Sequence, residues 1–177
     1  MKINFKDIAM SFIGILYVVG LTVFIPVLYG NSGNSDLLNG KFLIWYLLLS
    51  SWGTDIMAYL VGKHFGKHKF SKVSPNKTIE GCVAGTIGAI ISCLVYTFIL
   101  KQFLNVEVYS YITIAIVALV LSIIGQLGDF AASTIKRQFD IKDFSEIFPG
   151  HGGMIDRIDS VMFAAPYAYF IFAILLV

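Results

Sequence analysis

An all-α, polytopic membrane helix bundle of about five transmembrane helices, with its N-terminus in the cytoplasm, is the fold this sequence predicts, and three observations predict it. Hydrophobic residues fill 57% of the 177 positions and charged residues only 14%, with a mean hydropathy of +0.79, well beyond the range of soluble globular domains. Five apolar stretches, at residues 8–29, 42–61, 79–100, 109–135 and 158–177, each approach the ~20 residues that a hydrocarbon core requires. Eleven of the 13 Lys and Arg residues fall on alternate connections, and this asymmetry sets the orientation.

The first stretch follows Lys2, Lys6 and Asp7 and lacks a small-residue cleavage site. It is expected to be a retained span, not a signal peptide. The second carries Asp55 one turn before Tyr59. In the third, Gly81, Gly85, Gly88 and Ser92 recur at helical spacing, a small-residue stripe of the kind that lets helices approach closely. Its two cysteines, Cys82 and Cys93, are eleven residues apart, about 16 Å on a helix and too far for a disulfide. No internal repeat or second domain is visible, so residues 1–177 are expected to form a single integral-membrane domain.

The cations lie at Lys2 and Lys6, then at Lys63, Lys67, Lys69, Lys72 and Lys77, then at Lys136, Arg137, Lys142 and Arg157; only Lys41 and Lys101 fall elsewhere. The positive-inside rule therefore puts both long polar connections in the cytoplasm and the C-terminus outside. A net charge of +2, segregated in this way, gives no support to a nucleic-acid partner. A cytosolic ligand and a membrane lipid could both reach these connections.

Most of the candidate chemistry lies between Asp129 and Asp159. In the fourth stretch Ser122, Gln126, Asp129, Ser133 and Lys136 step at intervals of four, three, four and three, so they share one helix face. Interhelical hydrogen bonds account for the neutral members. They do not account for Asp129, because a carboxylate in hydrocarbon needs a cation, a metal or water. Asp156 and Asp159 should face the same way at the head of the last span. With Asp129 they are read as a site for a divalent metal, since Mg²⁺ is typically held by one or two carboxylates plus substrate phosphates.

Lys136, Arg137, Lys142 and Arg157 are placed to neutralise phosphate oxygens, and Gly152 and Gly153 beside His151 let backbone come close to a ligand. A plain lipid-anchoring patch has no use for the interleaved Asp143, Asp156 and Asp159. Upstream, Ser74 followed by Pro75 looks like a helix N-cap and first helical position, which beside Lys77 and Thr78 would form an anion site. Asp55 either joins this site or pairs with a lysine of the following connection.

These residues also fall into a recognisable pattern. Ser133-x-Ile135-Lys136-Arg137, then Lys142-Asp143, then Phe148-Pro149-x-His151-Gly152-Gly153-Met154-x-Asp156-Arg157-Ile158-Asp159 resembles the signature of the phosphatidate cytidylyltransferases, or CDP-diacylglycerol synthases. Asp55-Ile-Met-Ala58-Tyr59-x-x-Gly62, Ser74-Pro75-Asn76-Lys77-Thr78-Ile79-Glu80-Gly81 and Gln126-x-Gly128-Asp129 resemble further segments of that family. One departure is Asn76, where a lysine is usual. Another is length, because bacterial members usually carry several additional N-terminal spans. The resemblance covers about residues 45–177, the expected catalytic core.

The resemblance implies a transferase of phospholipid biosynthesis that makes CDP-diacylglycerol and pyrophosphate from CTP and phosphatidic acid, with Mg²⁺ and commonly a second cation. It implies metal at the positions of Asp129 and Asp156 and a homodimer in the bacterial cell membrane, with its site facing the cytoplasm. Lys136 and Arg157 join the two acids as expected catalytic residues. Ser74, Lys77, Thr78, Ser133, Arg137, Lys142, Asp143, His151, Gly152, Gly153, Asp159 and Asp55 are expected to contact substrate. Competing readings are another CTP-dependent lipid enzyme, such as a polyprenol kinase or a cytidylyltransferase for archaeal-type lipids, and an ion transporter using Asp55 and Asp129.

Overall fold

The computed structural model of the chain describes residues 5–30, 39–70, 74, 77–106, 108–139, 141, 143–145 and 153–175, with backbone alone at 5–10, 174 and 175. Six α-helices follow one another: α1 (Phe5–Thr22), α2 (Phe24–Gly30), α3 (Gly40–Phe65), α4 (Ile79–Phe103), α5 (Tyr111–Gln138) and α6 (Ile155–Phe170), the last continued by a π-helical turn over Ile171–Leu175. Among the described residues the remaining regular structure is one isolated antiparallel bridge, Lys69 to Thr78. The fold is an all-α membrane bundle.

Among the described residues, three segments are long and apolar enough to cross a bilayer: Ser11–Gly30, Ile79–Phe103 and Tyr111–Gln138. They coincide with the expected first, third and fourth spans. The first is interrupted at Val23, between α1 and α2. Pro26 lies four residues after Thr22, so it cannot donate to the Thr22 carbonyl and its ring crowds that group. The expected spans at 42–61 and 158–177 are helical too, but they carry more polar groups. Ser50, Ser51, Thr54, Asp159 and Ser160 are buried on α3 and α6, so these two helices place polarity inside the bundle.

Helix ends are capped where the sequence has a hydroxyl or amide to offer. Asn39 accepts from the Lys41 N–H at 3.3 Å, Thr78 from Gly81 at 3.1 Å and Ser110 from Thr113 at 3.2 Å, each satisfying an otherwise orphaned donor. After α4 the chain reverses through Asn105 at φ 50°, a left-handed position that asparagine tolerates better than most residues.

The small-residue stripe of α4 packs against α3. A Cβ at Gly85 would lie 2.8 Å from the Thr54 carbonyl oxygen, and one at Gly88 would lie 2.7 Å from that of Gly53. Ser92 completes the row by donating to the Leu49 carbonyl at 3.0 Å. On α5, Gly128 admits the Phe163 ring of α6, whose Cγ would sit 2.8 Å from an added Cβ. Close backbone approach thus fixes α4 on α3, and a side chain seated over a glycine fixes α6 on α5. The apolar core fills the end of the bundle away from the cation-rich connections, around Tyr46, Leu47, Leu100, Ile114, Leu121, Ala165 and Phe172. There the Tyr46 and Thr97 hydroxyls satisfy each other at 2.9 Å.

Candidate active site

The connection from α3 to α4 folds back on itself. The Phe70 N–H donates to the Lys77 carbonyl at 2.9 Å and the Ile79 N–H to the His68 carbonyl at 3.0 Å, beside the Lys69–Thr78 bridge. His68 Nδ1 meets Glu80 Oε1 at 2.6 Å, tying the loop to the first turn of α4, and the Phe70 ring packs edge-on against Phe130 of α5 at 5.8 Å. This closure corrects the helix start expected at Ser74 and Pro75. Thr78 itself takes part in the bridge and is the N-cap, so the helix begins at Ile79. Pro75 and Asn76 lie outside the described residues.

The same closure carries Lys77 across to α5, where its ammonium ion-pairs with Asp129. Around the pair is a pocket of about 380 Å³ whose polar lining comes from Asp55, Ser74, Lys77, Thr78, Gln126 and Asp129. Asp55 therefore lines the same pocket as Lys77, in the electrostatic field of Lys77 and Asp129 and with the Ser160 side chain against it. Ser133, one turn beyond Asp129, reaches the Asp129 carboxylate at 3.4 Å.

The polar face of α5 divides its work. Toward the bundle centre Ser122 bonds Thr54 at 2.7 Å, and Gln126 Nε2 donates to the Thr86 hydroxyl at 3.0 Å and the Cys82 carbonyl at 3.3 Å. These are the interhelical bonds expected of neutral polar residues. Two turns past Asp129, Lys136 Nζ donates to Asp156 Oδ1 at 2.8 Å and lies 5.5 Å from the Phe144 ring centroid.

Asp156 is the hub of a second, more enclosed arrangement. Its side chain is only 8% exposed, and Oδ2 accepts the backbone N–H groups of Phe144 and Gly153, both at 3.0 Å. Burial opposes its charge, but Lys136 and the two N–H donors outweigh burial and hold the carboxyl below its ordinary range. One carboxylate thereby joins α5, the connection near residue 144 and the start of α6. Ser145 Oγ is buried here without a hydrogen-bond partner among the described residues.

The remaining expected residues divide into three groups. Asp159 is buried, 6% exposed, and interacts electrostatically with Asp129, Lys136 and Asp55. Arg137, Asp143 and Arg157 are exposed at the same end of the bundle. Lys142, His151 and Gly152 lie outside the described residues. The structure thus gathers Asp55, Ser74, Lys77, Thr78, Asp129 and Ser133 in one place, and Lys136, Gly153 and Asp156 in another.

Among the described residues, no three His, Cys, Asp or Glu side chains gather as a preformed metal cluster. The donor set nevertheless fits Mg²⁺. Asp129 and Asp156 are oxygen donors, each now neutralised by a lysine, and Mg²⁺ is usually held by one or two carboxylates, waters and substrate phosphates instead of an all-protein cage. Sequence reasoning passed over Thr54, Thr86 and Tyr17 as neighbours of the site. Their hydroxyls look like ordinary helix residues until α3, α4 and α1 are packed against α5 and α6.

Compared with known proteins, the chain matches the cytidylyltransferase family over residues 1–175. The chain belongs to that family. The match includes every residue of the pocket and of the Asp156 arrangement. Among curated cytidylyltransferases, it is similar to the phosphatidate cytidylyltransferase of Bacillus subtilis, with 40% identity over 136 residues, covering 76% of this chain and 49% of that protein. It is similar to the enzyme of the same name from Thermotoga maritima, with 35% identity over 172 residues, 97% of this chain and 61% of the relative. It is also similar to that from Staphylococcus haemolyticus, with 40% identity over 166 residues, 93% and 59%. The chain therefore spans about half to three-fifths of the length of these relatives.

Proposed function

We propose that this chain carries the cytidylyl-transfer centre of a phosphatidate cytidylyltransferase, joining CTP and phosphatidic acid to give CDP-diacylglycerol and pyrophosphate in phospholipid biosynthesis. The observation that carries this reading is the pocket in which Asp129 of an apolar helix meets Lys77 from the cation-rich loop, in a chain of the cytidylyltransferase family. The proposed setting is a single membrane domain with five spans and a catalytic core over about residues 45–177. In this setting the N-terminus and the site face the cytoplasm of a bacterial cell, and the protein is a homodimer. The cation asymmetry supports that orientation.

A phosphate monoester has a second pKa near 6 and is largely dianionic at pH 7, so the phosphatidate oxygen needs no general base. It attacks the α-phosphorus of CTP in line. A phosphorus–oxygen bond to the lipid phosphate forms as the bond between the α- and β-phosphates breaks, and the electron pair leaves with pyrophosphate. The obstacle is the approach of two polyanions, which positioned cations relieve. Lys77 and Lys136, resting on Asp129 and Asp156, can turn to phosphate oxygens, and Arg137, Lys142 and Arg157 would add further positive charge. Ser74, Thr78 and Ser133 would donate hydrogen bonds to phosphate. Asp143, His151, Gly152 and Gly153 would shape the nucleotide end, and Asp159 and Asp55 would orient cations. Asp129 and Asp156 are the residues that would hold Mg²⁺ and a second cation, and bound metal would supply charge neutralisation at the phosphates.

The test is a transfer assay on the whole protein in detergent with CTP labelled at the α- or the γ-phosphorus. The α-label should enter phosphatidate in an Mg²⁺-dependent reaction. Transfer of the γ-label alone to a polyprenol would make the protein a kinase. Transfer of the α-label only to an archaeal-type ether lipid would change the acceptor. Ion flux in liposomes without CTP dependence would make it a transporter.

A further inference from the structure

Between α1 and the end of α5 runs a second cavity of about 520 Å³, separate from the polar pocket. It is lined by Gly14, Tyr17 and Val18 on one side and by Ile135, Phe139, Phe144 and Ile155 on the other. Its outer wall belongs to a lipid-like surface, where Phe12, Ile13, Ile15 and Leu16 are each more than half exposed on a segment apolar enough to span a bilayer. Tyr17 lines the groove, but its hydroxyl is buried out of reach of it, with no hydrogen-bond partner among the described residues.

An apolar groove on a lipid-facing helix that leads toward buried cations is amphipathic in the way an anionic phospholipid is. Phe144 links the groove to the phosphate-binding side chains. It lines the groove, its ring lies beside Lys136 Nζ, and its own N–H is held by Asp156. A lipid whose tail filled the groove would present its anionic headgroup to Lys136. We infer that the groove between α1 and α5 is the binding site for an acyl chain of the acceptor phospholipid. This inference rests on the cytidylyl-transfer reading for the identity of the lipid.

Gly14 offers a way to fill the groove, because a Cβ there would meet no atom within 4 Å. In the whole protein, Gly14→Leu should raise KM for dioleoyl phosphatidate about tenfold, as expected for the loss of a few buried methylene contacts. KM for CTP, and turnover of a dihexanoyl phosphatidate too short to need the groove, should stay within about twofold of wild type. A dioleoyl-type phosphatidate with a diazirine near its acyl terminus should crosslink to peptides covering residues 11–19 and 135–144, and Gly14→Leu should abolish the label.

Equal KM values for the long-chain lipid in wild type and Gly14→Leu, or label spread evenly over α4 and the start of α5, would overturn the inference. If the variant is not recovered folded, wild-type labelling decides. It must be confined to those peptides and competed away by unlabelled dioleoyl phosphatidate, and failure of either contradicts the inference. Crosslinking needs no turnover, so confined labelling without formation of CDP-diacylglycerol would sink the proposed reaction and leave the groove standing.

Discussion

At the level of single residues, two lysine–carboxylate pairs carry the account, and they differ in kind. Asp129 and Lys77 are each about one quarter exposed beside a pocket, whereas Asp156 and Lys136 are nearly enclosed and two backbone N–H groups also converge on Asp156. Asp129→Asn should therefore fold normally and lose activity by a factor of about 10²–10³, the scale of removing one preorganised electrostatic group. A thermal-unfolding scan alongside the assay separates the two effects. Asp156→Asn should lose activity and stability together, because removing one partner of a buried pair costs about 3–5 kcal/mol. The Asp156 carboxyl titrates below its ordinary range in the folded chain, so its stabilisation is complete above the unfolded carboxylate value of about 3.9. It is lost as pH falls through the lower folded value. Melting temperature should fall below about pH 4 in wild type, and less steeply in Asp156→Asn; equal slopes would remove Asp156 from that role. The shared face of Ser122, Gln126, Asp129, Ser133 and Lys136 was legible from helical spacing alone. Their partners were not, because Lys77 reaches Asp129 only after a loop 50 residues earlier in the chain has closed.

At the level of elements, hydropathy located all the long helices, and the glycine stripe of α4 identified its packing face before its partner was known. Gly88→Leu should destabilise the bundle by about 1–3 kcal/mol through overpacking, since its Cβ alone would lie 2.7 Å from the Gly53 carbonyl oxygen. The same substitution at Gly14, which faces open space, should leave the melting temperature close to that of wild type; a similar loss at both sites would show that helix propensity and not close packing is at work. Two boundaries escaped sequence reasoning for local reasons. Ser74 and Pro75 form a stronger capping signal than Thr78, yet Thr78 is held in the bridge with Lys69 and caps the helix. The break between α1 and α2 is written in Pro26, but its effect falls four residues upstream, at Thr22.

At the scale of the whole molecule, the alternation of cations predicts that the connection from α3 to α4 is cytoplasmic and that from α4 to α5 is external. In a background with Cys82 and Cys93 replaced by alanine, an impermeant maleimide applied to intact cells should label Lys101→Cys and leave Lys69→Cys untouched. The reverse pattern would invert the orientation and move the pocket away from cytosolic CTP. The charge pattern was readable without coordinates because it depends only on which connection each lysine occupies. The placement of α1 beside the end of α5 was not, because nothing in its apolar run distinguishes one helix neighbour from another. The central claim, that the pocket around Asp129 and Lys77 performs cytidylyl transfer, is tested most directly by the initial rate at which α-labelled CTP enters phosphatidate, compared between wild type and folded Asp129→Asn protein at saturating Mg²⁺. Incorporation by wild type with at least about a hundredfold loss in the variant is the predicted result, and near-equal rates would contradict it.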